Sequence, residues 1–334
     1  MSINFTKTKN CFKTFEKIKS KPILAPTLAL NPKLTIAIPT FNRAKLLREA
    51  IDSALSQEYN GPYEVLVVDN NPERGCETEK LILTYKSSKI RYYKNDLNIG
   101  MFGNWNRCIE LALGEYITIL NDDDLLDRKF LNHVMQTALK TDKLIFTGAY
   151  KIDSFPYTIE QKDNKLKDYL LQDIDISNFV IGNQSYGSLG IVYKTKKMLD
   201  LGGFDKSFFP SADYIFNARY VFKYGGLKLM KKLSYYRILE NESIKESNLE
   251  YWPILDAKIK EEICSYAFPS KNKKSILLYA SINQKKYLKN QWGANVKFNE
   301  KEIFFMKTKY KLFTYKAKIR FLFQIFKGTI IAKL

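Results

Sequence analysis

Only one histidine, His133, occurs in the 334 residues, and a single imidazole cannot build a histidine-based metal centre. It sits in a helix-like stretch, where an ordinary surface or half-buried role is expected. Cysteine is almost as scarce. Cys11, Cys76, Cys108 and Cys264 lie far apart with no CxxC pair, so neither a zinc site nor a disulfide framework is expected. A reducing, cytoplasmic setting is the simplest expectation. No apolar run reaches the ~18–20 residues of a membrane-spanning helix. The apolar piece PILAPTLAL is short, broken by Pro26 and followed by Asn31-Pro32, so it reads as a linker rather than a secretory signal. No G-x-G-x-x-G follows the first apolar strand and there is no Walker loop, which excludes dinucleotide-binding and P-loop versions of an α/β fold. Acid is short as well: 35 Asp and Glu stand against 54 Lys and Arg, a formal net charge of +19. That balance favours anionic partners, whether nucleotides, nucleic acid or an acidic membrane surface.

What is present is an alternation. LTIAI (34–38) and EVLVV (64–68) are continuous apolar, β-branched runs of the kind found in strands buried on both faces. Between them, Leu46, Leu47, Ala50, Ile51, Ala54 and Leu55 recur at helical spacing, with Asn42 as the expected N-cap. A helix at 76–86, a strand at 90–93, a helix near 101–113 and a strand at 116–120 continue the pattern, the signature of a parallel α/β sheet. Further on, strands are expected at LIFTGAY (144–150) and YGSLGIVY (186–193). A loop with a short helix is expected over 151–178, a helix from about Asp213, and helices at 252–267, 272–291 and within 303–327.

In parallel sheets ligands bind beyond the carboxyl ends of the strands, where the chain order reverses. The polar clusters at 39–43, 69–71 and 121–124 all fall at such ends, so they can converge on one crevice. Asp122, Asp123 and Asp124 are three like charges at the end of a buried strand. Such neighbours raise one another's pKa unless a cation sits among them. Mg²⁺ or Mn²⁺, which take oxygen ligands and bind through one or two carboxylates plus substrate phosphates, would answer that need. The plainer alternative is an acidic helix start, with Asp122 or Asp123 capping a helix that begins near Asp127.

The segments AIPTFNRAKLLREAIDSALSQ, EVLVVDNNP, NIGMFGNWNRCIELALGEYITILNDDDLL and LGGFDKSFFPSADYIF, in that order and spacing, resemble the family 2 glycosyltransferases of GT-A fold over about residues 33–240. The resemblance implies a metal-dependent, inverting enzyme that moves a sugar from a nucleotide donor, UDP favoured, to a hydroxyl. It also implies roles for residues. Thr40, Phe41 and Arg43 would line the nucleotide site, and Asp69 with Asn70 would meet the base, Asn70 standing where many members have Asp. Asn98, Gly100, Asn104 and Asn106 would lie near the nucleotide. Asp122 would face the ribose and Asp123 the metal; Asn121 replaces the first acid of the usual D-x-D, so Asp122 with Asp124 is the alternative pair. Asp213 matches the general base, with Ala212 in place of the usual preceding acid. Gly202, Gly203, Phe204 and Asp205 would belong to the acceptor region. Leu239 stands where some relatives carry a metal-binding histidine, so no third protein ligand is expected.

On this reading residues 1–31 are a basic extension and 32–245 the transferase domain, with 32–125 for the nucleotide-sugar and 126–245 for the acceptor. Residues 246–334 are a helical basic region. Residues 307–334 hold eight Lys and Arg and no acid, interleaved with Phe and Ile. They read as a helix against an anionic membrane surface, or as a packing helix with a solvated basic face. A lipid-linked or surface-glycan acceptor at the inner face of the membrane would suit the first. A nucleic-acid-binding protein is the rival from charge alone, though no nucleic-acid-reading motif is present. A metal-dependent nucleotidyltransferase is the rival from the acids, though its Gly-rich phosphate loop is absent.

Overall fold

A computed structural model describes residues 5–25, 31–157, 170–238 and 246–268. Its centre is four parallel strands in the order β4–β3–β2–β5, formed by β2 (Leu34–Thr40), β3 (Tyr63–Asp69), β4 (Ile90–Asn95) and β5 (Tyr116–Ile119). Three helices make the crossovers: α1 (Ala44–Leu55), α2 (Glu77–Leu83) and α3 (Met101–Leu111). The continuous apolar runs follow from burial on both faces. Ile36, Ile38, Val65 and Val67 pack against α1, α2 and α4 (Phe130–Ala138). Ala37, Leu66, Val68, Ile117 and Ile119 face the opposite core, shared with α3, α6 (Ala212–Tyr224) and α7 (Glu246–Ala267). Each buried Val, Leu or Ile contributes roughly 1.5–3 kcal/mol, so β2 and β3 anchor the fold.

The chain runs outward from β2 through β3 to β4, then returns to β5 on the other side of β2. The reversal of order therefore lies between the carboxyl ends of β2 and β5, the position at which α/β sheets bind ligands. Beyond β5 the sheet becomes mixed. β9 (Ile191–Lys194) is antiparallel to both β5 and β7 (Leu144–Ile152), and β10 (Gly226–Arg237) runs parallel to β7. The short β6 (Leu125–Leu126) and β8 (Leu171–Ile174) pair antiparallel with β10. A short helix α5 (Thr195–Asp200) follows β9.

Several local expectations change. The segment read as a basic extension contributes β1 (Ser20–Leu24), which pairs antiparallel with the edge of β4. Phe5 is fully buried, its carbonyl accepting from Arg219 Nε at 2.9 Å. Pro22 and the surrounding lysines hid this strand, because proline is tolerated at a sheet edge but not in its middle. Asn42 does not cap α1. It sits at φ +56°, and its side-chain oxygen accepts from Asn71 Nδ2 at 2.8 Å, joining the loops after β2 and β3. Asp122 and Asp123 cap nothing, since α4 starts at Phe130 and Asp127 serves the preceding turn. The strand expected at 186–193 is confined to β9, because Gly187 and Gly190 both have positive φ and turn the chain before it. The 12-residue β10 was not anticipated at all. Residues 272–291 and 303–334, with the two expected helices and the basic tail, lie outside the described residues. No described helix is long and apolar enough to cross a membrane.

Candidate active site

A cleft of about 900 Å³ opens over the reversal point between β2 and β5. Thr40, the last residue of β2, donates to Asp122 Oδ2 at 2.7 Å, which ties the two strand ends together. Arg43 Nη1 reaches Asp123 Oδ2 at 2.9 Å and Asp122 Oδ1 at 3.4 Å. Both residues are buried. Burial pushes the pKa of each upward, Asp123's charge adds to the effect at Asp122, and Arg43 opposes it. The guanidinium therefore stands where these acids call for a cation.

Asp124 is turned away from the cleft. Its carboxylate accepts from Asn121 Nδ2 and from the backbone N–H of Arg237, both at 2.9 Å. Burial, with Asp123 alongside, raises its pKa well above the ordinary value. Arg237, almost fully buried, also donates from Nε to the carbonyl of Asp123 at 2.8 Å and pairs with Glu49. Asp124 and Arg237 thus hold the turn that presents Asp122 and Asp123.

Beyond the carboxyl ends of β3 and β4, Asn70 lines the cleft with Asn98, Gly100 and Asn104. Its Nδ2 donates to Asn98 Oδ1 at 2.7 Å, and its Oδ1 accepts from the N–H of Ile99 and from Asn95 Nδ2, both at 3.0 Å. Asn104 donates to the carbonyl of Val68 at 2.9 Å, locking α3 to β3. Phe41, 44% exposed, is the apolar wall.

Asp69 is not in the cleft. Fully buried, it accepts from Tyr92 OH at 2.8 Å and Lys94 Nζ at 2.9 Å. This pair ties the carboxyl ends of β3 and β4 together. Lys94→Met leaves the Asp69 carboxylate without its cation in the core, and such a loss costs about 3–5 kcal/mol. The urea unfolding midpoint should fall accordingly, whereas a midpoint equal to the parent's would show that the pair does not hold these strands.

The segment expected at the acceptor is placed elsewhere. Gly202, Gly203, Phe204 and Asp205 do not line the cleft. Asn106 brackets Phe204, donating to its carbonyl at 2.9 Å and accepting from its N–H at 2.7 Å, so Asn106 too serves packing. Phe204 is buried against Trp105 and Phe216. Glycine is required at position 203, where φ is +76° and a Cβ would lie 2.5 Å from Asn106 Oδ1. The chain reaches the cleft only a few residues later, at Phe209–Ser211 and Asp213.

Asp213, in the first turn of α6, faces the same cleft as Asp123. Burial, reinforced by the Asp256 charge, raises its pKa to about 7. Asn183 Nδ2 donates to its Oδ2 at 2.8 Å. Asn183 is itself held by Asn217 Nδ2 at 3.2 Å, and Asn217 Oδ1 accepts from Tyr193 OH at 2.7 Å. This relay of amides fixes the carboxylate, and the sequence reading passed over it. The four-residue spacing of Asp213 and Asn217 on one helix face was its only local signal. Trp252, Asp256 and Lys260 of α7, and Lys228, Lys232 and Tyr236 of β10, also line the cleft and were not singled out. His133 lies on α4, half-buried, its pKa pushed down to about 4 mainly by burial.

Among the described residues no cluster of three or more His, Cys, Asp or Glu is placed to bind a metal. Asp123, with Asp122 beside it, offers one or two carboxylates into the cleft, which matches what Mg²⁺ and Mn²⁺ take from protein when substrate phosphates complete the shell.

A parallel α/β sheet with paired acids at its reversal point has the crevice at which such sheets bind ligands, and comparison with known proteins gives the family. The model described as glycosyl transferase family 2 matches residues 35–206, over half of the chain, and the chain belongs to that family. It is a glycosyltransferase. Among its relatives is the GalNAc(5)-diNAcBac-PP-undecaprenol beta-1,3-glucosyltransferase of Campylobacter jejuni, 29% identical over 220 residues, 64% of this chain and 67% of that one. Another is the putative colanic acid biosynthesis glycosyl transferase WcaA of Escherichia coli, 37% identical over 94 residues, 28% of this chain and 33% of that one. The S. aureus TarS 1-349 structure in complex with UDP-GlcNAc shares the fold, with a TM-score of 0.58 at 16% identity, covering 88% of this chain and 81% of that one.

Proposed function

We propose that the chain is an inverting glycosyltransferase that moves a sugar from a UDP-linked donor to a hydroxyl of a lipid-linked or surface glycan. The observation that carries the reading is that Asp123 and Asp213, from opposite halves of the chain, line one cleft at the sheet's reversal point. Asn70, Asn98 and Phe41 receive the nucleotide, and Asp122 the ribose. Asp123, beside Asp122, would hold Mg²⁺ or Mn²⁺. When bound, the ion neutralises negative charge on the departing diphosphate.

The acceptor hydroxyl donates its proton to Asp213 as its oxygen bonds to the anomeric carbon. The bond from that carbon to the diphosphate oxygen breaks on the opposite face, and the electron pair leaves with the nucleoside diphosphate. A base with a pKa near the working pH suits this step. Asn183 keeps the accepting oxygen aimed. The C. jejuni relative is named for a lipid-linked acceptor, which supports an acceptor of that kind here. A contact of the basic tail with an anionic membrane belongs to the same reading.

A thermal-shift screen of nucleoside diphosphates with and without Mn²⁺ tests it. UDP with Mn²⁺ at a hundredfold excess over its Kd should add about 2.7 kcal/mol of stability and raise the Tm. A Tm unmoved by every nucleoside diphosphate, with or without metal, would contradict the reading.

A further inference from the structure

Asp123 follows β5, whereas Asp213 stands in the first turn of α6. Transfer needs these two acids at a fixed spacing, because a misplacement of about 1 Å between reacting groups can cost about a hundredfold in rate. The segment that steadies Asp213 is a loop. Asn183 Nδ2 donates to Asp213 Oδ2 at 2.8 Å and to the Gly187 carbonyl at 3.4 Å. Gly182 and Gly187 have φ of +149° and +62°, so both ends of this loop are built on permissive backbone. Side chains must therefore fix it. Gln184 Nε2 fastens its first half, donating to the Asn178 carbonyl at 2.8 Å.

Tyr186 fastens the second half. Its ring stacks on that of Tyr236, with centroids 4.7 Å apart and planes 14° from parallel. Lys151 Nζ of β7 approaches the same ring, 5.7 Å from its centroid. Both tyrosines are half-buried and line the cleft. Tyr236 precedes Arg237 on β10, and Arg237 holds the other acid's turn. Its Nε donates to the Asp123 carbonyl at 2.8 Å and its N–H to Asp124 Oδ1 at 2.9 Å. Contacts thus run without a gap from the Asp123 turn through Arg237, Tyr236, Tyr186, Gly187 and Asn183 to Asp213.

We propose that the Tyr186–Tyr236 stack is the spacer that sets the distance between Asp123 and Asp213, which makes both tyrosines positioning residues for sugar transfer. The inference rests on the transferase reading above. It assigns the role to the two ring faces and not to the phenolic hydroxyls.

The test uses the full chain with Mn²⁺, water as the acceptor, and UDP-glucose, UDP-galactose, UDP-GlcNAc and UDP-GalNAc as donors, and it reads release of UDP. Tyr186→Leu and Tyr236→Leu should each lower kcat about ten- to a hundredfold, while donor KM and the calorimetric affinity for UDP stay within about twofold of the parent. Tyr186→Phe and Tyr236→Phe keep the stacked rings and should turn over at the parental rate. The double Leu variant should be no slower than the slower single one, since one contact cannot be broken twice. Leu variants at the parental rate, UDP affinity lost in step with kcat, Phe variants as slow as the Leu ones, or losses that multiply in the double variant would each overturn the spacer. If Tyr236→Leu fails to fold, Tyr186→Leu and Tyr186→Phe decide, because they lie on the loop. A parent that releases UDP from none of the four donors would instead overturn the transferase reading, and the spacer with it.

Discussion

Asp213→Asn should lower glycosyl transfer by about a thousandfold, within the 10²–10⁴ range that a positioned general base supplies, while UDP binding stays at the parental level. The amide keeps the size of the carboxylate and can still accept from Asn183, so the fold of the α6 start is preserved and only the proton acceptor is lost. The parent's pH profile carries the same signature. With the Asp213 pKa near 7, the base is protonated below that value, and kcat should fall tenfold per pH unit on the acid side. Stability moves in the opposite sense. The folded pKa lies above the ordinary value of 3.8, so the native state holds this proton more tightly than the unfolded chain. The stability contributed by this group is fully present below about pH 4 and is lost as pH rises through about 7. Asp213→Asn should therefore be more stable than the parent at pH 8 while inactive. Transfer at the parental rate, or a variant no more stable at pH 8, would remove Asp213 from the base role.

The second large effect is at Asp123. Asp123→Ala should cost about 10²–10³ in kcat, comparable with losing one preorganised group that stabilises the leaving charge. It should also abolish the response to chelator. EDTA should silence the parent and do nothing further to the variant. Arg43 retains Asp122 as a partner, and Asp124 with Arg237 still holds the turn, so the variant should fold. Undiminished turnover by Asp123→Ala with chelator present would contradict the metal role.

The halves of this fold were unequally legible. β2, β3 and β5 announced themselves because burial on both faces leaves no polar alternation to confuse the pattern. β10 did not. It carries Lys228, Lys231 and Lys232 near its middle, with bulged pairing against β7, so neither a continuous nor an alternating pattern survives. At the site, the strand-end positions identified the region, and Thr40, Arg43, Asn70, Asp122, Asp123 and Asp213 do meet in one cleft. Asp69 and Asn106 show the limit. A strand-end acid reads the same whether it faces a ligand or a core lysine, and Asp69 is committed to Lys94, 25 residues on. Asn106 is committed to Phe204, 98 residues away. No local pattern encodes such partners. Nor could the α7 face be assigned, because its role depends on docking against the start of α6 through Ser211 and Asp256.

The most direct measurement is a crystal structure of the protein soaked with UDP and Mn²⁺. The uracil ring should lie beside Phe41 and Asn70, with the diphosphate and metal at Asp123 and the Asp213 carboxylate open to the same cleft beyond the phosphates. UDP bound elsewhere, or a diphosphate separated by protein from Asp213, would contradict it.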